Sequence, residues 1–405
     1  MAIFLVYGID VNIQGVLTKG NFDQMQAEVK NLSKISKVYV STTDSQYYSS
    51  LFEGKAEHLI SLPFSLPDFT LGKLIMSVIF FLVGFVQIAD RLGEVEIIVS
   101  QGTTALQAAV ANFVFHKPHV MFLHYFAYNE QFVLRRGLLA NLFRIVELFV
   151  VRNCNLVIAP NEKLKADALE QGAKSVQIIP NFVETGRIDK VDTRGILRKR
   201  FHFTGRKVVL FVGRLHPVKN VDLLLRSFNH INTPDDCILV IIGDGPEKQR
   251  LTDLASSLGI SKRIFFVGFK KKDEVLEYMK ASDVLVLPSL VEGQPRVVLE
   301  AWAAKLPVVA SRRPGLEDLI TDRINGWLFS PGSDIRLAET IALGLDNNIA
   351  NRIRSNAKRY VQQYDVDRVL SEQRSIVLSF LQNKENYQKL NFDDLKEPCI
   401  TIDKS

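Results

Sequence analysis

The chain has 405 residues, of which 47% are hydrophobic and 23% are charged, and its formal net charge is +6. This length favours two domains with buried cores, and the positive charge suits a nucleotide phosphate, an anionic membrane surface or a nucleic acid. Nucleic acid is the weakest of the three, because the sequence has no DNA- or RNA-binding motif. The three cysteines, Cys154, Cys237 and Cys399, are far apart and form no disulfide or metal pattern, which favours a reducing cytosol.

In the first half of the chain, short apolar runs alternate with helical segments, a pattern typical of a parallel sheet with helices on both faces. The first run, MAIFLVYGID, has no basic leader and is predicted to be a strand rather than a secretion signal. We predict strands at 3–7, 37–41, 57–61, 95–100, 119–123, 156–159 and 176–179. We predict helices at 21–33, 71–92, 103–115, 131–152 and 162–171.

Two of these helical segments are candidates for membrane contact. Residues 74–89 (LIMSVIFFLVGFVQIA) form a sixteen-residue run without a charge, whereas a bilayer span needs about 20 residues. We interpret this run as a buried helix or as a helix on a membrane face, and we disfavour a spanning helix. Residues 135–152 have a basic amphipathic pattern whose arginines could meet anionic lipid or lie on an ordinary solvated face. These arginines are Arg135, Arg136, Arg144 and Arg152.

A polar, basic stretch at 186–206 interrupts the alternation and is interpreted as a linker, most simply a solvated hinge. The alternation then restarts. We predict strands at 208–212, 238–242, 264–267, 284–287, 307–310 and 327–329. We predict helices at 221–231, 247–258, 272–280, 296–305, 316–322, 334–345, 350–364 and 367–381. The polar tail at 383–405 is expected to be mobile.

Two acidic residues, Glu292 and Glu300, follow the predicted strand at 284–287. Glu292 lies on the loop, and Glu300 lies about one turn into a helix that we expect to begin at Pro295, whose fixed φ suits the first helical position. A helix start offers unpaired N–H groups and the positive end of the dipole, which favour an anion such as phosphate. Two carboxylates beside an anion site suit a nucleotide sugar, although either residue alone could be an ordinary solvated charge.

Cationic residues follow the first strand of the second half. Gly213 lets the backbone approach a phosphate closely, Arg214 can bind two oxygens at once, and Lys219 supplies a compact charge. Together they could neutralise a departing diphosphate, or they could form a basic turn that only ends the strand. The turn at 243–246 (GDGP) is interpreted as mainly structural.

The stretch EGQPRVVLEAWA at 292–303 resembles the signature of retaining glycosyltransferases of the GT-B fold, in glycosyltransferase family 4 (glycosyl transferases group 1). FVGRLHPVKN at 211–220, VIIGDGPEKQRL at 240–251 and RIFFVGF at 263–269 occur in the order of that family; the first half matches more loosely. The resemblance implies an α/β protein with two Rossmann-like domains facing across a cleft, where ligands bind at the carboxyl ends of the strands.

The implied domains are an N-terminal acceptor domain at 1–185, a linker at 186–206, a nucleotide-sugar donor domain at 207–365 and a polar tail at 383–405. A C-terminal helix at about 366–382 is expected to cross back onto the first domain.

The resemblance also implies roles for individual residues. Arg214 and Lys219 match the diphosphate-binding pair, Glu292 matches the residue that faces the donor sugar, and Glu300 matches the residue that binds the ribose hydroxyls. His124 matches a histidine that meets the donor sugar near the reacting carbon, although a histidine after an apolar strand can also be a core residue. Gly15 is the best match to a glycine-rich loop, but the usual paired glycines are missing here. The remaining donor-binding candidates are Gly268 and Phe269 against the base, and the backbone N–H groups of Gly293, Gln294, Arg296 and Val297.

The implied activity is retaining transfer of a sugar from a nucleoside-diphosphate sugar to a hydroxyl acceptor, for which a lipid-linked sugar or a glycan precursor is a candidate. We expect no metal or other cofactor, because no Asp-x-Asp motif lies in a suitable place and basic side chains can do the metal's work. The expected location is the cytoplasm, including peripheral attachment to the cytoplasmic membrane face.

Three other functions fit parts of the pattern. A nucleotide-sugar epimerase and a non-catalytic nucleotide-sugar-binding subunit remain alternatives. A dehydrogenase is disfavoured, because no G-x-G-x-x-G follows the first strand.

Overall fold

A computed structural model of the chain describes residues 2–7, 27–41, 56–58, 82, 85–86, 88–102, 106–126, 129, 137–188, 194–231 and 236–382. The chain separates into two units by its internal contacts. Unit 1 comprises Met1–Gln131, Arg136–Pro180 and Asp367–Ser405, and unit 2 comprises Phe132–Arg135 and Asn181–Val366.

Unit 1 is built on a parallel sheet. Its described strands are β1 (Ala2–Tyr7), β2 (Lys37–Ser41), β3 (Ala56–His58), β4 (Val95–Gln101), β5 (His119–Phe122), β6 (Leu156–Ala159) and β7 (Val176–Ile178). They lie in the order β3-β2-β1-β4-β5-β6-β7. All four residues of β5 and of β6 are buried, as expected where helices cover both faces of a parallel sheet. The seven strands predicted from the apolar runs are thus present.

The described helices of unit 1 include α1 (Leu106–Phe115), α2 (Gly137–Arg152) and α3 (Glu162–Glu170), with a further helical segment at 27–32. Asn161 begins α3, because its side-chain oxygen accepts a hydrogen bond from Leu164 N at 2.8 Å. In the predicted segment 74–89, the described residues differ in their exposure to solvent. Ile88 is fully buried, whereas Leu82 and Val86 are exposed. No helix among the described residues is long and apolar enough to cross a membrane.

Unit 2 is built on a second parallel sheet. Its described strands are β8 (Lys207–Val212), β9 (Cys237–Ile242), β10 (Ile264–Gly268), β11 (Val284–Leu287), β12 (Val308–Ser311) and β13 (Trp327–Phe329). They lie in the order β10-β9-β8-β11-β12-β13. The strand order reverses between β8 and β11, which are hydrogen-bonded neighbours. Ligands in open α/β sheets bind beyond the carboxyl ends of the strands at such a reversal.

The helices of unit 2 surround this sheet. They are α4 (Thr185–Ile188), α5 (Arg194–Arg200), α6 (Val221–Asn229), α7 (Lys248–Ser257), α8 (Lys272–Ala281), α9 (Arg296–Ala303), α10 (Asp334–Leu345) and α11 (Asn347–Tyr360). The helix predicted at 316–322 is wrong, since residues 314–319 form successive turns. Thr321 N donates to Asn325 Oδ1 at 2.8 Å, so a side chain replaces a helical carbonyl as its acceptor, and the segment ends in a local turn.

The final described helix, α12 (Val366–Gln382), has the bounds expected for a C-terminal helix. Within unit 1 it is held to the segment 27–32 by hydrogen bonds. Asn31 Nδ2 donates to Leu370 O at 2.7 Å, and Arg374 Nη1 donates to Asn31 Oδ1 at 3.0 Å. Its buried apolar residues include Val377 and Phe380.

Candidate functional site

The loop that follows β8 contains Gly213 and Arg214 and rests on the turn that follows β9. Gly213 N donates to Ile242 O at 3.0 Å. Gly243 and Gly245 have φ of +139° and +156°, and a Cβ on either would lie 1.9 Å or 2.3 Å from a carbonyl oxygen of this loop. Only glycine permits such close approach. The turn at 243–246 therefore supports the loop, in agreement with the structural role predicted for it.

The same loop places Lys219 beside Glu292. A 3₁₀ turn at Pro217–Lys219 ends the loop, and Leu290 N donates to Val218 O at 2.8 Å, which joins it to the loop after β11. Lys219 Nζ then lies 2.7 Å from Glu292 Oε1, with the two side chains 22% and 10% exposed. A charge-assisted hydrogen bond that is largely shielded from water is stronger than a surface ion pair. Two residues chosen from the sequence, 73 positions apart, thus meet at the strand-order reversal.

Gly315 shapes the backbone at Glu292 and was missed by the sequence reasoning. A Cβ on Gly315 would lie 2.0 Å from Gly293 O and 2.5 Å from Glu292 O. The loop after β12 therefore presses directly on the loop after β11, and only glycine fits between them. The dipeptide Pro314-Gly315 was a signal for a turn, but nothing in its local sequence pointed to Glu292.

Helix α9 begins at Arg296, the start of the predicted range 296–305, and Pro295 is its N-cap residue with φ of −73° and ψ of 115°, not its first helical residue. The chain entering it is held by the buried residue Gln294, whose Oε1 accepts from Asn181 N at 2.6 Å and whose carbonyl accepts from Asn181 Nδ2 at 2.7 Å. The Arg296 guanidinium lies over the Phe182 ring, 5.7 Å from its centroid. The side chains of two donor-binding candidates, Gln294 and Arg296, therefore contact other groups of the protein.

The other donor-site candidates of unit 2 lie on the same elements. Val297 and Glu300 are partly buried residues of α9, and Arg214 is partly buried five residues before Lys219. Gly268 ends β10 with φ of +71°, and its carbonyl accepts from Gly243 N at 2.9 Å. Phe269 follows it and is exposed. The carboxyl end of β10 is thereby tied to the glycine turn that supports the Arg214 loop.

In unit 1, His124 follows β5 and is joined to a buried carboxylate through an amide. His124 Nε2 lies 2.7 Å from Gln101 Oε1, and Gln101 Nε2 donates to Glu28 Oε2 at 2.8 Å. Neither Gln101 nor Glu28 was singled out from the sequence. The candidate Gly15 lies outside the described residues.

The opposite end of the unit 2 sheet has a cavity of about 490 Å³ whose lining includes Arg194, Arg198 and Asp283. Asp283 receives hydrogen bonds from Arg194 at 2.7 Å, Arg198 at 3.1 Å and Val208 N at 2.7 Å. Both arginines also donate to backbone carbonyls of 280–282. These two charges of the basic stretch at 186–206 are therefore paired with Asp283, although Arg194 stays 40% exposed and Arg198 16% exposed. The pairing holds α5 to the sheet, which a purely solvated hinge would not do.

On α2, the exposed residues include Leu142, Arg144 and Ile145, with Leu142 49% and Ile145 66% exposed. Arg152 Nε instead donates to Gln171 O at 3.0 Å, so this arginine has a structural partner at the end of α3. Arg135 and Arg136 lie outside the described residues.

Comparisons with known proteins point to one family. The model of "Glycosyl transferases group 1" matches residues 192–360, and the model of "Glycosyltransferase Family 4" matches residues 48–187. An uncharacterized glycosyltransferase of Methanocaldococcus jannaschii is 35% identical over 173 residues, which cover 41% of this chain and 43% of that protein. The matched part is thus less than half the length of this relative.

A second relative is the UDP-Gal:alpha-D-GlcNAc-diphosphoundecaprenol alpha-1,3-galactosyltransferase of Escherichia coli. It is 24% identical over 272 residues, covering 65% of this chain and 69% of that protein. Among solved structures, Anabaena HepE in complex with UDP aligns with a TM-score of 0.75 at 22% identity, covering 94% of this chain and all of that one. This likeness shows a common fold, with the two parallel sheets of the GT-B type. Since the two family models match consecutive parts of the chain and the fold agrees, the chain belongs to the group 1 glycosyltransferases of family 4.

Proposed function

We propose that this chain transfers a sugar, with retention of configuration, from a nucleoside-diphosphate sugar to a hydroxyl acceptor. The observation that supports this most directly is the pair of Lys219 and Glu292, 2.7 Å apart at the reversal of strand order in unit 2. A shielded cation next to a shielded carboxylate suits a ligand that offers a phosphate and a hydroxylated ring side by side.

In the proposed reaction, Arg214 and Lys219 neutralise the diphosphate as the bond between the sugar carbon and the phosphate oxygen breaks. The acceptor hydroxyl forms the new bond on the same face, and its proton passes to the departing phosphate oxygen. Glu292 holds Lys219 in place and binds the donor sugar, while Glu300 binds the ribose. Losing one preorganised group that stabilises developing charge costs on the order of 10²–10³ in rate. His124, which follows β5 in unit 1, is the remaining residue proposed to act in catalysis.

The start of α9 adds a second source of positive potential. The backbone N–H groups of Gly293, Gln294, Arg296 and Val297 lie at or just before its first turn, where N–H groups and the helix dipole favour a phosphate. Gly268 and Phe269 are proposed to contact the base. No metal is included in the proposal, so activity should survive EDTA.

The donor proposed for first tests is a UDP-sugar. The E. coli relative carries UDP-Gal in its name, and Anabaena HepE was solved with UDP. The same relative's name includes a diphosphoundecaprenol acceptor, which makes a lipid-linked acceptor the first candidate here.

A lipid-linked acceptor would require the protein to reach a membrane, and peripheral attachment at its cytoplasmic face is part of the proposal. The exposed surface of α2 offers Leu142 and Ile145 beside Arg144, a combination that suits the interface of an anionic bilayer. Cosedimentation with vesicles rich in anionic lipid should be reduced in a Leu142→Ser, Ile145→Ser double variant. Equal sedimentation of the two proteins would remove this surface from the proposal.

The decisive experiment is nucleotide binding followed by thermal unfolding. A ligand that binds only the folded state at 100 times its Kd stabilises that state by about 2.7 kcal/mol, so UDP, GDP and ADP can be ranked by the rise in Tm. Lys219→Ala and Glu300→Ala should abolish the rise. Lys262→Ala is the matched control, because Lys262 is an exposed lysine of unit 2 before β10. A rise that persists in both site variants would show that the site is misplaced.

Turnover then distinguishes the alternatives. A transferase consumes the donor faster when membrane lipid extract supplies an acceptor. An epimerase converts the donor without any acceptor, and a binding subunit shifts Tm without consuming the donor.

A further inference from the structure

Unit 1 contains a buried acidic residue that the proposed reaction does not use. Glu28, in the helical segment 27–32, is only 4% exposed, and Gln101 at the end of β4 is 8% exposed. Burying a carboxylate is costly unless hydrogen bonds compensate it. Glu28 Oε2 accepts a hydrogen bond from Gln101 Nε2 at 2.8 Å, and Gln101 Oε1 lies 2.7 Å from His124 Nε2. A chain of two hydrogen bonds therefore runs from the carboxylate to the imidazole.

The chemistry of these groups assigns the direction of both hydrogen bonds. The structure places the NH₂ group of Gln101 on the Glu28 carboxyl group, to which it donates. The other side of the amide is then the carbonyl oxygen, which only accepts. His124 Nε2 must consequently carry a proton and donate it. The reversed amide would set the Gln101 carbonyl oxygen 2.8 Å from the same carboxyl oxygen at a buried position, which is unfavourable for an ionised carboxylate.

The backbone fixes the positions of Gln101 and His124 relative to each other. Gln101 is paired with Tyr7 of β1 and with Phe122 of β5, two residues before His124. Gly102 N also donates to Phe122 O at 2.7 Å. The amide and the imidazole thus project from neighbouring strand ends that cannot slide independently.

We propose that Glu28 and Gln101 are positioning residues that hold His124 in the Nε2–H tautomer for the transfer reaction. In the neutral ring, the lone pair is then on Nδ1, so the imidazole has one defined tautomer and is not a mixture of two. This inference rests on the proposed function, in which His124 meets the donor sugar. The same logic operates wherever a buried partner sets the tautomer of a functional histidine.

The first test reads the tautomer directly and needs no activity. The protein is labelled with ¹⁵N-histidine, and the signal of His124 among the seven histidines is identified by its loss in His124→Gln. We expect a single Nε2–H tautomer in the wild type. In Gln101→Met and in Glu28→Gln the preference should weaken, because residue 101 no longer accepts from the ring or its amide is free to reverse. Gln107→Met is the matched control, since Gln107 is a buried glutamine of α1 in the same unit, and it should leave the His124 signal unchanged.

The second test measures the effect of the tautomer on turnover. By comparison with partners that orient metal-bound histidines, Gln101→Met should lower kcat about 10- to 100-fold, whereas the Kd for UDP should stay close to the wild-type value, because the proposed nucleotide site is in unit 2. Glu28→Gln preserves the size and shape of the side chain, so its kcat tests the proposal if Gln101→Met fails to fold.

The outcomes separate the two proposals. A wild-type protein without transferase activity refutes the proposed function, while the tautomer measurement still stands. A Gln101→Met or Glu28→Gln protein that keeps both the tautomer and kcat overturns the inference. A changed tautomer with wild-type kcat also overturns it, because positioning would then have no effect on the reaction.

Discussion

Replacing Gly315 with alanine tests how the Glu292 loop is positioned. The added Cβ would lie 2.0 Å from Gly293 O and 2.5 Å from Glu292 O, whereas real Cβ contacts are essentially never below 3.0 Å. The neighbouring loop must therefore retreat by about 1 Å, because both clashing atoms are backbone oxygens that cannot rotate away. A misplacement of about 1 Å in an active site can cost about 100-fold in rate. We expect a loss of this size in kcat for Gly315→Ala.

The substitution also strains the backbone, and a control separates the two effects. The φ of Gly315 is +84°, a conformation that costs a non-glycine residue about 1–2 kcal/mol. Gly259 has a φ of +70°, and a Cβ added there would meet no atom within 4 Å. This glycine lies before β10, at the opposite end of the sheet from Glu292. Gly259→Ala should therefore lose stability through the same strain while keeping its activity.

The assay is donor consumption at saturating substrate, with the Tm shift by UDP measured in parallel on the same samples. Gly315→Ala should remain folded, lose most of its turnover and show a smaller UDP shift. The reasoning is refuted if folded Gly315→Ala retains wild-type kcat, or if Gly259→Ala loses as much activity as Gly315→Ala.

Three further predictions concern buried groups. Burial lowers the pKa of His119 from 6.5 to about 3, so at about pH 5 the unfolded chain binds a proton at this residue and the folded chain does not. The free energy of unfolding should therefore fall by about 2 kcal/mol between about pH 8 and pH 5. Urea titrations of His119→Gln should lack that part of the pH dependence. Asp283→Ala should destabilise unit 2 by about 3–5 kcal/mol, because Arg198 and Val208 N lose a buried acceptor; an unchanged urea midpoint would contradict this. Burial raises the pKa of the Cys154 thiol to about 12, so Cys154 should resist iodoacetamide at about pH 8 in the native protein and react in urea, as peptide mass spectrometry can show.

Most strands could be predicted from the sequence, because a strand buried on both faces must be apolar along its whole length. All six residues of β9 are buried, and its sequence is CILVII. The helix predicted at 316–322 failed because apolar spacing indicates which residues are buried, not which hydrogen bonds the backbone makes. Leu316, Leu319 and Ile320 are buried as a helix would require, but Thr321 N donates to the side chain of Asn325, and the apolar pattern does not reveal that contact.

The sequence alone determined the two parallel sheets, the family, and the choice of Lys219 and Glu292, because hydrophobic pattern and motif spacing are local properties that a single chain displays. Only the tertiary structure decided that Gly315 supports the Glu292 loop, that Asp283 pairs with Arg194 and Arg198, and that Glu28 reaches His124 through Gln101. Such contacts join residues far apart in the chain. Their energies depend on burial and on close approach of the polar atoms, and the packing of strands and loops sets both.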